Sequence, residues 1–165
     1  MNTAEQWIRQ LGMRKHPEGG YFAETYRSSE SISEDALPER FGAPRSLSSA
    51  IYFLLADDDF SAFHRLRADE IWHFHAGDTL VIHVLEPGGC RRRILLGSRP
   101  GCDEMPQAVI PAGNWFAAEL LAPPGYALVG CTVAPGFAFD DFDLADAEEL
   151  TKQFPSQCDL IRRLT

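Results

Sequence analysis

Apolar and polar residues alternate in short bursts through most of this chain, and Gly, Pro and Asp break the bursts apart. Residues 47–55, 62–66, 70–75, 79–85, 92–96, 107–110, 115–121 and 126–133 each have the length and content of a strand. Such segments in unbroken succession, with no helix between them, predict an antiparallel sandwich or barrel. An aromatic strand over 21–27 precedes them, entered by the turn His16-Pro17-Glu18-Gly19-Gly20. The two ends read differently. Over residues 3–11, Thr3 and Gln6 form a capping box, and Trp7, Ile8 and Leu11 share one helical face before Gly12 ends it. Residues 144–154 and 156–164 read as helices separated by Pro155. The polar stretch 28–46 reads as a long mobile loop, suited to a lid or a dimer arm.

Length and charge narrow the function more than the fold. The 165 residues fit one domain spanning 1–165. No apolar run nears the roughly 20 residues that span a bilayer. The start, Met1 to Gln6, lacks the basic and apolar regions of a signal peptide. A cytoplasmic protein without a membrane partner is expected. A net charge of −9 repels phosphate backbones, which excludes nucleic acid as a partner. Arg91-Arg92-Arg93 reads as a charged strand edge. The four cysteines have neither zinc-knuckle nor redox-dithiol spacing and read as free thiols. His83 reads as structural, Asp57-Asp58-Asp59 as a solvated turn, and Asp140-Asp141-Phe142-Asp143 as the source of a helix cap.

The chemistry concentrates in residues 63–78, which hold His64, His73, His75, Glu70, Trp72, Phe63 and Phe74. That mixture of aromatic and titratable groups reads as the lining of a pocket. Its spacing resembles the first motif of the cupin superfamily, with His64, Glu70 and Gly77 at the first His, the Glu and the Gly. Pro111-Ala112-Gly113 resembles the start of the second motif. Leu66 and Phe116 stand where that superfamily places two further metal-binding histidines. Four phrases resemble one branch, the DUF985 or cupin-5 family: 16–21, 70–78, 111–116 and 133–137. The resemblance implies an all-β fold, an antiparallel double-stranded β-helix (the cupin jelly-roll barrel) with a short N-terminal helix and C-terminal helices. It also implies a homodimer and a small-molecule pocket, with no established reaction.

Strand alternation puts His64, Leu66, Glu70, Trp72 and Phe74 on the inner face and His73 and His75 on the outer one, unless a bulge intervenes. Two inner ligands rarely hold a transition metal. No cofactor is therefore expected. A divalent metal held by His64, Glu70 and His75 would require a bulge that turns His75 inward. Without metal, a His64–Glu70 pair suits a general base, with Tyr52 or Tyr26 as the acid. Tyr26, Leu66, Trp72, Phe74, His75 and Phe116 are the expected ligand-binding residues. Cupin-fold epimerases of nucleotide-linked keto sugars use a metal-free His and an N-terminal strand that crosses to a partner, and residues 19–26 resemble that strand. The expectation is a small-molecule-binding cupin that acts as a metal-free epimerase or isomerase on a sugar-like or carbonyl compound, dimerising through that strand. A non-catalytic binding module and a metal-dependent cupin enzyme are the alternatives.

Overall fold

The computed structural model describes residues 3–165. Thr3 and Gln6 close the predicted capping box at the start of helix α1 (Ala4–Gln10). The strands follow in chain order: β1 (Arg14–Lys15), β2 (Tyr21–Arg27), β3 (Ser31–Ile32), β4 (Arg45–Ser46), β5 (Ser49–Ala56), β6 (Phe60–Leu66) and β7 (Asp69–Gly77). Next come β8 (Leu80–Leu85), β9 (Arg91–Leu96), β10 (Glu104–Met105), β11 (Gln107–Ile110), β12 (Trp115–Leu120), β13 (Tyr126–Ala134) and β14 (Phe142–Leu144). Helices α2 (Ala147–Gln153) and α3 (Cys158–Arg163) end the described chain.

Two six-stranded sheets form, in the orders β1-β2-β5-β13-β7-β11 and β10-β9-β8-β12-β6-β14. The β9–β10 contact is parallel and the other ladders are antiparallel, which fits the sandwich or barrel that the strand spacing predicts and the jelly roll that the cupin resemblance implies. Alternation sorts each strand into an inner and an outer face. Phe53, Trp72, Ile82, Val84, Phe116 and Val129 pack together between the sheets. On the outside of the first sheet, Leu54 and Leu128 are covered by Trp7, Ile8 and Leu11 of the N-terminal segment. Outside the second sheet, Phe63, Leu85 and Ala117 are covered by Leu150, Phe154 and Ile161. The strand β6 is tied to this tail through its backbone. Phe63 N–H donates to the Leu164 carbonyl (2.7 Å), and Ala145 N–H donates to the Phe63 carbonyl (2.8 Å).

Three register shifts interrupt the ladders: one where β12 meets β6, between Phe116 and Ala118, and a bulge in each of β2 and β7. In β2 the pairing with β5 steps from Glu24 to Tyr26 and leaves Thr25 unpaired. In β7 the pairing with β13 steps from Phe74 to Ala76 and leaves His75 unpaired. The bulges in β2 and β7 change what faces the barrel interior.

The stretch 28–46 departs from the expected mobile loop. It holds the β3–β4 pair and two short 3₁₀ turns, and Phe41 is buried beside Leu66 and Val133. Arg45, inside a polar-looking run, forms a buried bidentate ion pair with Asp141 (2.6 and 2.7 Å) and also donates to three backbone carbonyls. Asp141 is thereby committed to Arg45, and the cap of α2 comes from Asp146, which accepts from Glu148 and Glu149 N–H. The four cysteines are free, as their spacing suggests. No helix among the described residues is long and apolar enough to cross a membrane.

Candidate functional site

A cavity of about 330 Å³ opens at one end of the barrel. Phe22, Phe53, Leu66, Val133 and Phe142 make its apolar wall, His16, Glu18, His64 and Glu70 are four of its titratable groups, and Arg14, Glu24, Arg27 and Cys131 also line it. Phe137 and Phe139 stand at the mouth, and Phe139 is 59% exposed.

His64 comes from β6 and is almost wholly buried. Its Nδ1 lies 2.8 Å from the Ala62 carbonyl, which can only accept, so Nδ1 carries the proton and Nε2 is left with a lone pair. That lone pair faces the Glu18 carboxyl at 3.3 Å. Glu18 reaches the cavity because its turn is pressed against the barrel. Its carbonyl accepts from Ala62 N–H (2.8 Å), and its carboxyl accepts from the Ser61 hydroxyl (2.8 Å). Gly19 makes that approach possible. A Cβ there would overlap the Phe60 carbonyl, and φ of +110° lies outside the range L residues readily adopt. His16 Nδ1 accepts from Glu18 N–H (3.3 Å), which orients the second imidazole toward the same carboxyl.

Burial controls the charge state of all four groups. It pushes the Glu18 carboxyl up to about 8, against the Ser61 hydrogen bond, and the Glu70 carboxyl up to about 7, against nearby His64. It lowers His16 to about 4, helped by His64 and Arg14. It also lowers His64, despite the opposing pull of Glu70 and the Ala62 carbonyl. Near neutral pH the imidazoles are therefore uncharged, Glu18 keeps its proton, and that proton has His64 Nε2 as its acceptor. Glu70 Oε2 is buried and has no hydrogen-bond partner, as does the neighbouring Trp72 Nε1.

Of the residues singled out from sequence, the structure brings His64, Glu70 and Leu66 into the cavity. His64 makes its close contact with Glu18 rather than with Glu70. Trp72, Phe74 and Phe116 belong to the packed interior behind the cavity floor. Phe116 lies 4.1 Å from the His64 ring, centroid to centroid, and Trp72 packs edge-on against Phe116. Tyr26 is displaced by the β2 bulge. Simple alternation from Phe22 and Glu24 would point it inward, but the extra residue sends it outside, 54% exposed, and brings Arg27 to the cavity instead. Tyr52 alternates with Phe53 and lies on the outer face with Leu54, where its ring meets His75 at 5.6 Å. Neither tyrosine can act as the acid across this cavity. His75 sits on the β7 bulge, but the bulge keeps it outside, over Gly130. The proposed set His64, Glu70 and His75 therefore cannot converge on one ion. With Leu66 and Phe116 at the other two cupin ligand positions, the donor set does not fit a metal. Among the described residues no three His, Cys, Asp or Glu side chains are grouped to hold one.

Reading the sequence missed Glu18 and His16. Both lie in the phrase 16–21 that carries the family resemblance, and an acid placed just before two glycines was the available signal.

A family model described as "Cupin superfamily (DUF985)" matches residues 5–145. Uncharacterized protein YML079W of Saccharomyces cerevisiae is 28% identical over 170 residues, covering 92% of this chain and 79% of that protein. The crystal structure of protein SO0799 from Shewanella oneidensis matches with a TM-score of 0.90 at 38% identity, covering 100% of this chain and 98% of that one. A hypothetical protein from Leishmania major matches with a TM-score of 0.89 at 34% identity, covering 99% of both chains. Oxalate decarboxylase from Bacillus subtilis shares the fold alone, with a TM-score of 0.54 at 14% identity over 92% of this chain and 36% of that one.

Proposed function

This chain belongs to the DUF985 family of the cupin superfamily, and on that footing we propose that its barrel cavity binds a small hydroxy-carbonyl compound and moves a proton on it as an isomerase or epimerase. One observation supports this reading: two buried carboxyls, Glu18 and Glu70, share an apolar cavity with two neutral imidazoles, His16 and His64. Paired carboxyls whose surroundings lift their proton affinities toward neutrality are suited to acid–base work at physiological pH.

The chemistry follows from those charge states. Glu70, poised near 7, supplies a carboxylate that takes the proton from the carbon beside the carbonyl. The C–H electron pair becomes the C=C bond, and the carbonyl oxygen takes the proton Glu18 holds. The product is an enediol, with Glu70 protonated and Glu18 ionised. Glu18 then takes the proton of the neighbouring hydroxyl, whose carbon becomes the new carbonyl, while the C=C electron pair takes the Glu70 proton at the former carbonyl carbon. The carbonyl has moved along by one carbon, and both side chains regain their starting state. Release of the abstracted proton to water and reprotonation of the original carbon by water on its other face, with Glu18 taking back the proton of the former carbonyl oxygen, gives the epimer. His64 is the positioning residue, since Nε2 holds the Glu18 proton until a substrate oxygen replaces it. The unpartnered Glu70 Oε2 supports a polar ligand at this depth, because a buried carboxyl oxygen left alone is costly.

The test is solvent deuterium exchange. Hydroxy-carbonyl compounds incubated with the protein in D₂O gain deuterium at the carbon beside the carbonyl. Glu70→Gln reduces that exchange by about a hundredfold or more while the protein stays folded. Compounds that raise the melting temperature without exchanging would remove the isomerase reading and leave a binding module.

A further inference from the structure

The cavity wall carries one cation that nothing in the isomerase chemistry uses. Arg14 lies on β1 opposite Phe22, and its guanidinium rests across the Phe22 ring at 4.8 Å. Its neighbour Lys15 points the other way, to Asp59 and the face of Tyr21. Arg27, the other arginine of the wall, is already engaged: it forms an ion pair with Glu24 and donates to the Phe137 carbonyl. Among the described residues no group accepts a hydrogen bond from the Arg14 guanidinium. Arg14 thus offers an unneutralised fork to the cavity of a chain whose net charge is −9.

We propose that Arg14 selects the substrate: it receives the carboxylate of a small hydroxy- or keto-carboxylic acid, which enters with its uncharged carbonyl end toward Glu18 and Glu70. This rests on the isomerase reading for the inner end of the ligand and adds the outer end. Three features fix the polarity. First, a planar guanidinium stacked on an aromatic ring is held in place for bidentate capture of a carboxylate. Second, no inner group is positively charged near neutral pH, since both imidazoles are neutral and Glu70 is partly a carboxylate, so an anion placed among them would be buried without a counter-ion, whereas the Glu70 oxygen and the Glu18 proton suit a hydroxyl and a carbonyl. Third, one free arginine balances one negative charge. The Arg27 charge is offset by Glu24, so a dianion such as a phosphate monoester meets too little positive charge.

The probes are short 2-oxo and 2-hydroxy acids and sugar acids, each paired with its uncharged amide, observed by saturation-transfer NMR and by melting temperature. Acids that bind outcompete their amides, and Arg14→Met weakens them by about tenfold to a hundredfold, as expected for a lost charge-assisted hydrogen bond. Arg14→Lys restores part of that loss. Amides that bind as well as acids, acids indifferent to Arg14→Met, a phosphate ester that outbinds every acid, or no binding by any acid would each overturn the proposal. Exchange into D₂O separates the two readings. Arg14-dependent binding without exchange keeps this inference and removes the isomerase. Exchange confined to neutral compounds and unchanged in Arg14→Met does the reverse.

Discussion

His64 donates through Nδ1 to its own strand, and that single hydrogen bond settles what its other nitrogen can do. With a lone pair at Nε2 and a carboxyl opposite, the pair is most stable as two neutral groups sharing one proton. The cost of burying that carboxyl appears in the pH dependence of folding. Glu18 and Glu70 have an ordinary value of 4.5 but reach about 8 and about 7 in the fold, so the folded chain holds protons the unfolded chain has lost. Their influence makes stability fall as pH rises. His16 acts oppositely, but only between about 4 and 6.5, because above 6.5 it is neutral in both states. From pH 6.5 to 8 the carboxyls act without that opposition. Stability measured by denaturant titration should drop there by about 1 kcal/mol per pH unit for each carboxyl still protonated, and Glu18→Gln should flatten the slope. A flat wild-type profile would refute the assigned charge states. His64 and Glu70 were legible because motif spacing places them. Glu18 was not, because its role depends on a turn folding back onto β6, and a turn's sequence does not say which strand it will meet.

Strands and their irregularities decide which side chains share the cavity. Alternation predicts the inner face correctly for His64, Leu66, Glu70, Trp72 and Phe74. It fails at Tyr26, where one inserted residue exchanges a tyrosine for Arg27. Neither Thr25 nor His75, the bulged residues, is a glycine, so no local signal marks either position. The segment 28–46 was illegible for a different reason. Its order comes from Arg45 meeting Asp141, 96 residues away. The segment serves as a buttress: it braces residues 139–142 at the cavity mouth and contributes no lining residue of its own. Asp141→Ala leaves a buried guanidinium without its counter-ion. It should destabilise the protein by about 3–5 kcal/mol in urea unfolding. A loss under about 1 kcal/mol would show the ion pair to be dispensable.

At the scale of the whole molecule, the evenly spaced breaks between apolar bursts are enough to give the two-sheet architecture, because each sheet must bury one face and the chain offers no helices to cover the inner ones. What lies inside that architecture depends on residues that meet from distant segments, which is why relatives sharing only the fold say little about the site. The proposed metal-free chemistry makes a prediction for the intact protein. Exhaustive chelation followed by dialysis should leave both melting temperature and deuterium exchange unchanged. A fall in either that zinc, iron, nickel or manganese reverses would contradict the donor geometry. The backbone link between Phe63 and Leu164 bears on synthesis as well as on stability. His64 sits beside a residue whose amide has no partner until residue 164 leaves the ribosome. Its strand is flanked by β12 and β14, both made late. Strand β6 therefore cannot complete its pairing until residues 115–164 have been made. The cavity around His64 forms only after translation has passed those residues.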